Sequence, residues 1–141
     1  MRNYLTVFCL SLISVALHAQ DSAIQGVEKA LNYYLDGGTN SDRSMVAKAF
    51  HPAAELKFVT EDGYKEISID DFLARIKPGP KSDRKTKVKY INVTGHCASA
   101  SVEIDYADFT FIDYFNLLKI DGEWKIVNKI FFKRVHEEKG S

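Results

Sequence analysis

Two long, largely apolar runs, residues 109–120 and 123–134, are separated only by Asp121-Gly122, and no other feature constrains this chain as much. Asp-Gly suits a two-residue turn in which both residues take positive φ, so the runs are predicted to pair as one long antiparallel hairpin. With Ile120 opposite Glu123, one face carries Phe109, Phe111, Asp113, Phe115 and Leu117 against Trp124, Ile126, Asn128, Ile130 and Phe132. The other carries Ile112, Tyr114, Asn116, Leu118 and Ile120 against Lys125, Val127, Lys129 and Phe131. The first face is nearly continuous and is assigned to the side covered by helices. The second holds too much apolar area for plain exposure, which predicts a homodimer through the outer sheet face.

Upstream of the hairpin the order reads helix, helix, hairpin, helix. Ser22-Ala23-Ile24-Gln25 has the form of a capping box, Ile24, Val27, Leu31, Tyr34 and Leu35 follow at helical spacing, and Gly37-Gly38 is expected to stop the helix. Ser41 or Asp42 caps a second helix that Pro52 ends, pushing His51 out of helical geometry. Strands near 55–60 and 64–67 flank Asp62-Gly63. Ser68 then caps a third helix, which stops at Lys77-Pro78-Gly79-Pro80. Gly95-His96 joins strands 87–94 and 97–106, and together with the long hairpin these form a four-strand antiparallel meander. Ala98, Ala100 and Val102 are small, which suits either close helix packing or a cavity.

The first residues are of another kind. Arg2 is the only charge before Asp21, and an apolar run from Leu5 to Leu17 is followed by Ala19. A basic start, a short apolar stretch and a small residue form a secretory signal, and the run is shorter than the roughly 20 residues of a spanning helix. Residues 1–19 are therefore expected to be a cleavable signal peptide and residues 20–141 one domain, secreted or periplasmic, with no membrane contact after cleavage. Only Cys97 would then remain, so stability must come from the core and not from an internal disulfide.

Lys plus Arg and Asp plus Glu each number 19, which gives no nucleic-acid footprint. The densest basic stretch, Lys77, Lys81, Arg84, Lys85, Lys87 and Lys89, reads as a solvated loop. One cysteine and the scattered His51, His96 and His136 lack metal-ligand spacing, and neither a nucleophile elbow nor a phosphate-binding glycine loop is present. No metal or cofactor is expected.

The element order and the run Asp113-Tyr114-Phe115-Asn116-Leu117-Leu118-Lys119-Ile120-Asp121-Gly122-Glu123-Trp124-Lys125-Ile126-Val127-Asn128-Lys129 resemble the putative lumazine-binding branch of the NTF2-like (SnoaL-like) superfamily. Ala30–Gly37 and Ala49-Phe50-His51-Pro52 agree with it. The resemblance covers the domain and implies an α+β cone: three N-terminal helices packed on a strongly bent antiparallel sheet, with a pocket between them. Superfamily members include isomerases, dehydratases, cyclases and proteins that only bind or scaffold, so fold does not settle function.

Within that frame Asp113 carries the most chemistry. On the expected inner face it sits among Phe111, Phe115, Ile130 and Phe132, diagonal to Asn128, and apolar surroundings are how pockets obtain a general acid or base near neutrality. The bland alternative is that Asp113 and Asn128 satisfy each other. His51, at the helix-to-strand corner, is the second candidate for proton transfer. Tyr34 lies on the apolar stripe of the first helix, and Tyr33, Tyr34 and Tyr106 could present hydroxyls to a flat ligand. The leading expectation is an exported module that binds a small aromatic or polycyclic molecule through Tyr34, Phe111, Asp113, Phe115, Asn128 and Ile130. The alternatives are a cofactor-free isomerase or dehydratase using Asp113 and His51, and a dimeric assembly domain.

Overall fold

The computed structural model describes residues 4–137, and the side chains of residues 20–137. Helix α1 (Tyr4–Thr39) buries Val27, Ala30, Leu31, Tyr34 and Leu35, a single stripe at helical spacing. It runs unbroken through Gln20-Asp21-Ser22, so the expected fresh start at Ser22 is not taken in the whole chain. Polar residues alone do not break a helix. Gly37-Gly38 does not stop it either. A Cβ on Gly37 would stand 2.7 Å from the Val46 nitrogen, and one on Gly38 would stand 2.4 Å from an Arg84 Nη. These glycines let two neighbours approach the helix closely.

Asp42 caps α2 (Arg43–Ala49) by accepting from the Met45 amide, and Ser68 caps α3 (Ile69–Arg75) by accepting from Asp71. Between them run β1 (Phe50–Thr60) and β2 (Gly63–Ser68), so His51 and Pro52 already belong to a strand. Then come β3 (Lys85–Thr94), β4 (Cys97–Asp105), β5 (Phe109–Ile120) and β6 (Glu123–Val135). All three predicted tight turns form, with Gly63, Gly95, Asp121 and Gly122 at positive φ.

The six strands make one sheet in the order β2-β1-β6-β5-β4-β3. It is mixed and not antiparallel throughout, because β1 runs parallel to β6. Local turn signals specify hairpins, whereas the docking of strands far apart in sequence carries no such signal.

The second correction is a register shift. Leu117 pairs with Ile126 but Asn116 pairs with Asn128, so Val127 is an extra residue in β6. Such a bulge turns every later side chain of its strand to the other face. Trp124 and Ile126 point into the core as expected, but beyond Val127 the chamber receives Lys129 and Phe131. Asn128, Ile130 and Phe132 alternate with them and belong to the opposite face. Ala98, Ala100 and Val102 are buried in the core and do not line the chamber described below, so close packing is their role. Among the described residues no helix is long and apolar enough to cross a membrane.

Candidate functional site

A chamber of about 520 Å³ lies between the end of α1, α3 and the inner face of the sheet. That is within the range of small-molecule pockets. Leu56, Phe58, Phe72, Ile104, Phe111 and Phe131 form its apolar wall. Phe131 packs on Phe58, with centroids 4.7 Å apart, and takes Phe111 edge-on at 5.7 Å. These rings offer a flat ligand an aromatic surface.

A buried charged cluster forms the floor. The Lys129 ammonium lies 2.8 Å from Asp113 Oδ2 and donates to the Tyr34 hydroxyl at 2.5 Å. Tyr34 in turn donates to the same Oδ2 at 2.6 Å. Lys129 is capped by aromatic faces, 4.8 Å from the Tyr34 centroid and 4.9 Å from that of Phe131. Burial pulls the Lys129 ammonium below the ordinary lysine range, against the upward pull of the Asp113 carboxylate. Burial, then the Asp113 charge and hydrogen bond, push the Tyr34 phenol well above its usual value. Asp113 is fully buried, and its Oδ1 finds no partner among the described residues. The cluster therefore holds a neutral phenol and an amine of weakened basicity, both facing the chamber, with a carboxylate behind them. The Tyr34 proton is committed to Asp113, so the third Lys129 N–H, taken by neither Tyr34 nor Asp113, is the one this set can donate to a ligand oxygen.

Of the residues expected to bind ligand, Tyr34 and Phe111 line the chamber. Asp113 sits one layer below it, reached through Tyr34 and Lys129. It is not alone in apolar surroundings as expected, because a lysine faces it. Phe115 is core, meeting Tyr34 edge-on with centroids 5.3 Å apart. The bulge removes Asn128 and Ile130: Asn128 donates to the Glu55 carbonyl at 3.5 Å, and Ile130 is half exposed on the other side of the sheet. Asp113 and Asn128 thus do not satisfy each other. His51 does not line the chamber; its Nδ1 accepts from the Ala53 amide at 3.1 Å. No pairing of His51 with Asp113 exists.

Lys129, Phe131 and Arg84 were missed. Asn128, a polar residue amid an otherwise apolar predicted face, is the one trace of the bulge that the sequence offers. Lys77 and Arg84, expected in a solvated loop, line the chamber. Arg84 reaches back to the end of α1, donating to the Leu35 carbonyl at 2.8 Å and to Thr39 Oγ1 at 2.9 Å, and it also donates to the Tyr106 hydroxyl at 2.8 Å. It thereby satisfies carbonyl and hydroxyl groups at a helix end. Among the described residues no group of three or more His, Cys, Asp or Glu side chains could hold a metal ion.

Comparison with known proteins places this geometry in a family. Residues 22–132 match the family model described as "Putative lumazine-binding". An NTF2-like protein of unknown function from Methylobacillus flagellatus KT is 30% identical, with a TM-score of 0.71, covering 82% of this chain and 94% of its own. One from Shewanella baltica OS155 is 28% identical, with a TM-score of 0.72 and coverages of 83% and 96%. The aldolase FrzH of a Cladobotryum species is 26% identical over 120 residues, 83% of this chain and 96% of that protein. With a family match across most of its length, the chain belongs to the putative lumazine-binding family of the NTF2-like superfamily.

Proposed function

We propose that this protein is an exported small-molecule-binding domain whose ligand, an aromatic or polycyclic molecule, sits in the chamber above Tyr34 and Lys129. The observation that carries this reading is the chamber itself: about 520 Å³, with aromatic walls and a few convergent polar groups at its floor. Export is supported by Arg2, the apolar run to Leu17 and Ala19, and by a family match that begins at residue 22, just past the expected cut. Cleavage there leaves residues 20–39 of α1 and frees Ser22 to cap them. The expected bend of the sheet into a cone is supported by register shifts in β1, β3 and β6. Native mass spectrometry of the mature protein purified from its host tests the reading. A stoichiometric small molecule released on denaturation is expected; protein recovered empty, with no affinity for host extracts, would overturn it.

A second reading, a cofactor-free enzyme of carbonyl chemistry, is favoured by the Tyr34–Asp113–Lys129 cluster and by the similarity to an aldolase. The Lys129 ammonium, held by Tyr34 and Asp113 and donating its third N–H to a carbonyl oxygen, would stabilise the oxyanion formed when a solvent water takes the proton from an adjacent carbon. Its test is incorporation of solvent deuterium into the released ligand, which Tyr34→Phe should slow at least tenfold. Equal exchange with and without protein removes this reading and leaves binding.

The homodimer through the outer sheet face also stands as a proposal. It is supported by Val59, Tyr64, Tyr114, Ile130 and Phe132, all large and exposed; Val59, Tyr64, Tyr114 and Ile130 line one groove with Phe132.

A further inference from the structure

We infer that the ligand of this chamber is an organic anion: an aromatic body bearing a carboxylate or sulfonate, its acid group held on the Arg84 side. This rests on the reading of the chamber as a ligand site. Arg75, Lys77, Arg84 and Lys129 line it, and no Asp or Glu does. The chain as a whole has equal numbers of basic and acidic residues, so the excess is local and not a consequence of composition. Lys129 is balanced by Asp113 at 2.8 Å. Arg75, Lys77 and Arg84 are not: the ion pairs among the described residues involve Lys57, Lys89, Lys125 and Lys129. Three uncompensated cations around a concave, largely apolar wall concentrate a positive field in the chamber.

Arg84 is the built part of the arrangement. Its three protein acceptors, the Leu35 carbonyl, Thr39 Oγ1 and the Tyr106 hydroxyl, are all neutral, so they orient the guanidinium without cancelling its charge. A guanidinium has five N–H groups, and two are left over for a planar acid group. Two neighbours make room for and steady this seat. Gly38 lacks the Cβ that would collide with Nη2, and Tyr106 is held by stacking on Phe109 with centroids 4.7 Å apart. The rings of Phe58, Phe111 and Phe131, which take no charge, line the same chamber. The chamber thus offers a seat for an acid at Arg84 and aromatic rings for a flat apolar body.

Two fluorescent probes that share one ring system test this directly: 1-anilinonaphthalene-8-sulfonate and its uncharged counterpart N-phenyl-1-naphthylamine. Titrated into the protein at low salt, the sulfonate should bind at least tenfold more tightly, and the ratio should shrink as salt rises. The variant Arg75→Gln/Lys77→Gln, altered only at exposed positions, should keep its fold and lower the preference several-fold. Arg84→Lys should lower it while retaining the charge, because the fork is lost. Phe132→Ser, on the far face of the sheet, should change neither affinity. Equal affinity for the two probes, or a preference untouched by the Arg75/Lys77 and Arg84 variants, overturns the inference while leaving the binding chamber in place. Failure of both probes to bind overturns the two together.

Discussion

The β5–β6 hairpin is built in two halves that solve different problems. Near the turn, Leu117 pairs with Ile126 and Trp124 lies beside them, three apolar side chains buried in the core, and the one charge on that face, Lys119 opposite Trp124, is exposed. Beyond Val127 the inward side chains of β6 are a lysine and a phenylalanine, while Ile130 and Phe132 are left outside. Burial alone would favour the unshifted register, which would put the isoleucine in and the lysine out. The near half therefore serves stability. The far half gives up apolar burial for a charged chamber floor and an apolar outer surface, a local conflict of the kind expected at functional sites.

The sharpest way to break that comparison is to remove one charge at a time. Lys129→Met leaves a fully buried carboxylate without its cation, and Asp113→Leu leaves a buried ammonium without its anion. Each should cost about 3–5 kcal/mol in chemical denaturation, whereas the double variant should come close to wild type or exceed it. If each single change costs less than about 1 kcal/mol, the two groups are not acting as a buried pair. No comparable charge exists in the near half to be exposed this way.

This contrast also explains what was legible in the sequence. Caps at Asp42 and Ser68, the turns at Gly95 and Gly122, and the helical stripe from Val27 to Leu35 all rest on interactions local in the chain, and all formed where expected. Tyr34 and Phe111 line the chamber because one lies on that stripe and the other on β5, the unbulged strand. Lys129 was not expected there, since a one-residue shift leaves little trace beyond Asn128 where both faces of a strand are largely apolar. The parallel docking of β1 on β6 and the return of Arg84 to the end of α1 are long-range events without a local marker. His51 lies outside the chamber for a related reason: a corner position says nothing about which side the imidazole faces.

Tyr34→Phe sharpens the comparison inside the far half. It deletes a donor to Asp113 and an acceptor for Lys129, which should cost about 1–3 kcal/mol at neutral pH. The cost should fall in alkali. The folded Tyr34 phenol is held well above 10.0, so past pH 10.0 the unfolded chain loses a proton that the folded chain keeps, and stability drops as pH rises. Lys129 has the opposite sign. Its folded value lies below 10.5, so it adds stability with rising pH up to 10.5 and nothing beyond. Above that point wild type should lose up to about 1.4 kcal/mol per pH unit that the variant does not. Parallel stability curves for the two proteins above pH 10.5 would show that the phenol is not the group being held.

A test of the near half is Gly26→Ala. A Cβ there would stand 2.5 Å from Cδ1 of the buried Trp124 indole. Alanine returns about 1 kcal/mol of helix propensity, and overpacking takes about 1–3, for an expected net loss of about 1 kcal/mol by thermal or urea unfolding. A stabilised variant would mean that the indole can move aside and that the near half is looser than its burial implies.

The smallest effect on the monomer is expected on the outer face of the far half. Phe132 is 63% exposed and Ile130 49%, so Phe132→Ser or Ile130→Ser should shift intrinsic stability by no more than about 0.5 kcal/mol. If two copies meet through this face, the same substitutions should halve the mass seen by light scattering and abolish the dependence of unfolding on protein concentration. One residue inward the outcome reverses: Phe131→Ala should leave the mass unchanged and weaken probe binding, because its ring lines the chamber. A wild type that is monomeric at every concentration would remove the interface and leave the bulge with a single product, the charged floor. A dimer that splits with Phe132→Ser would show that one extra residue in β6 supplies both the chamber and the surface that joins two copies.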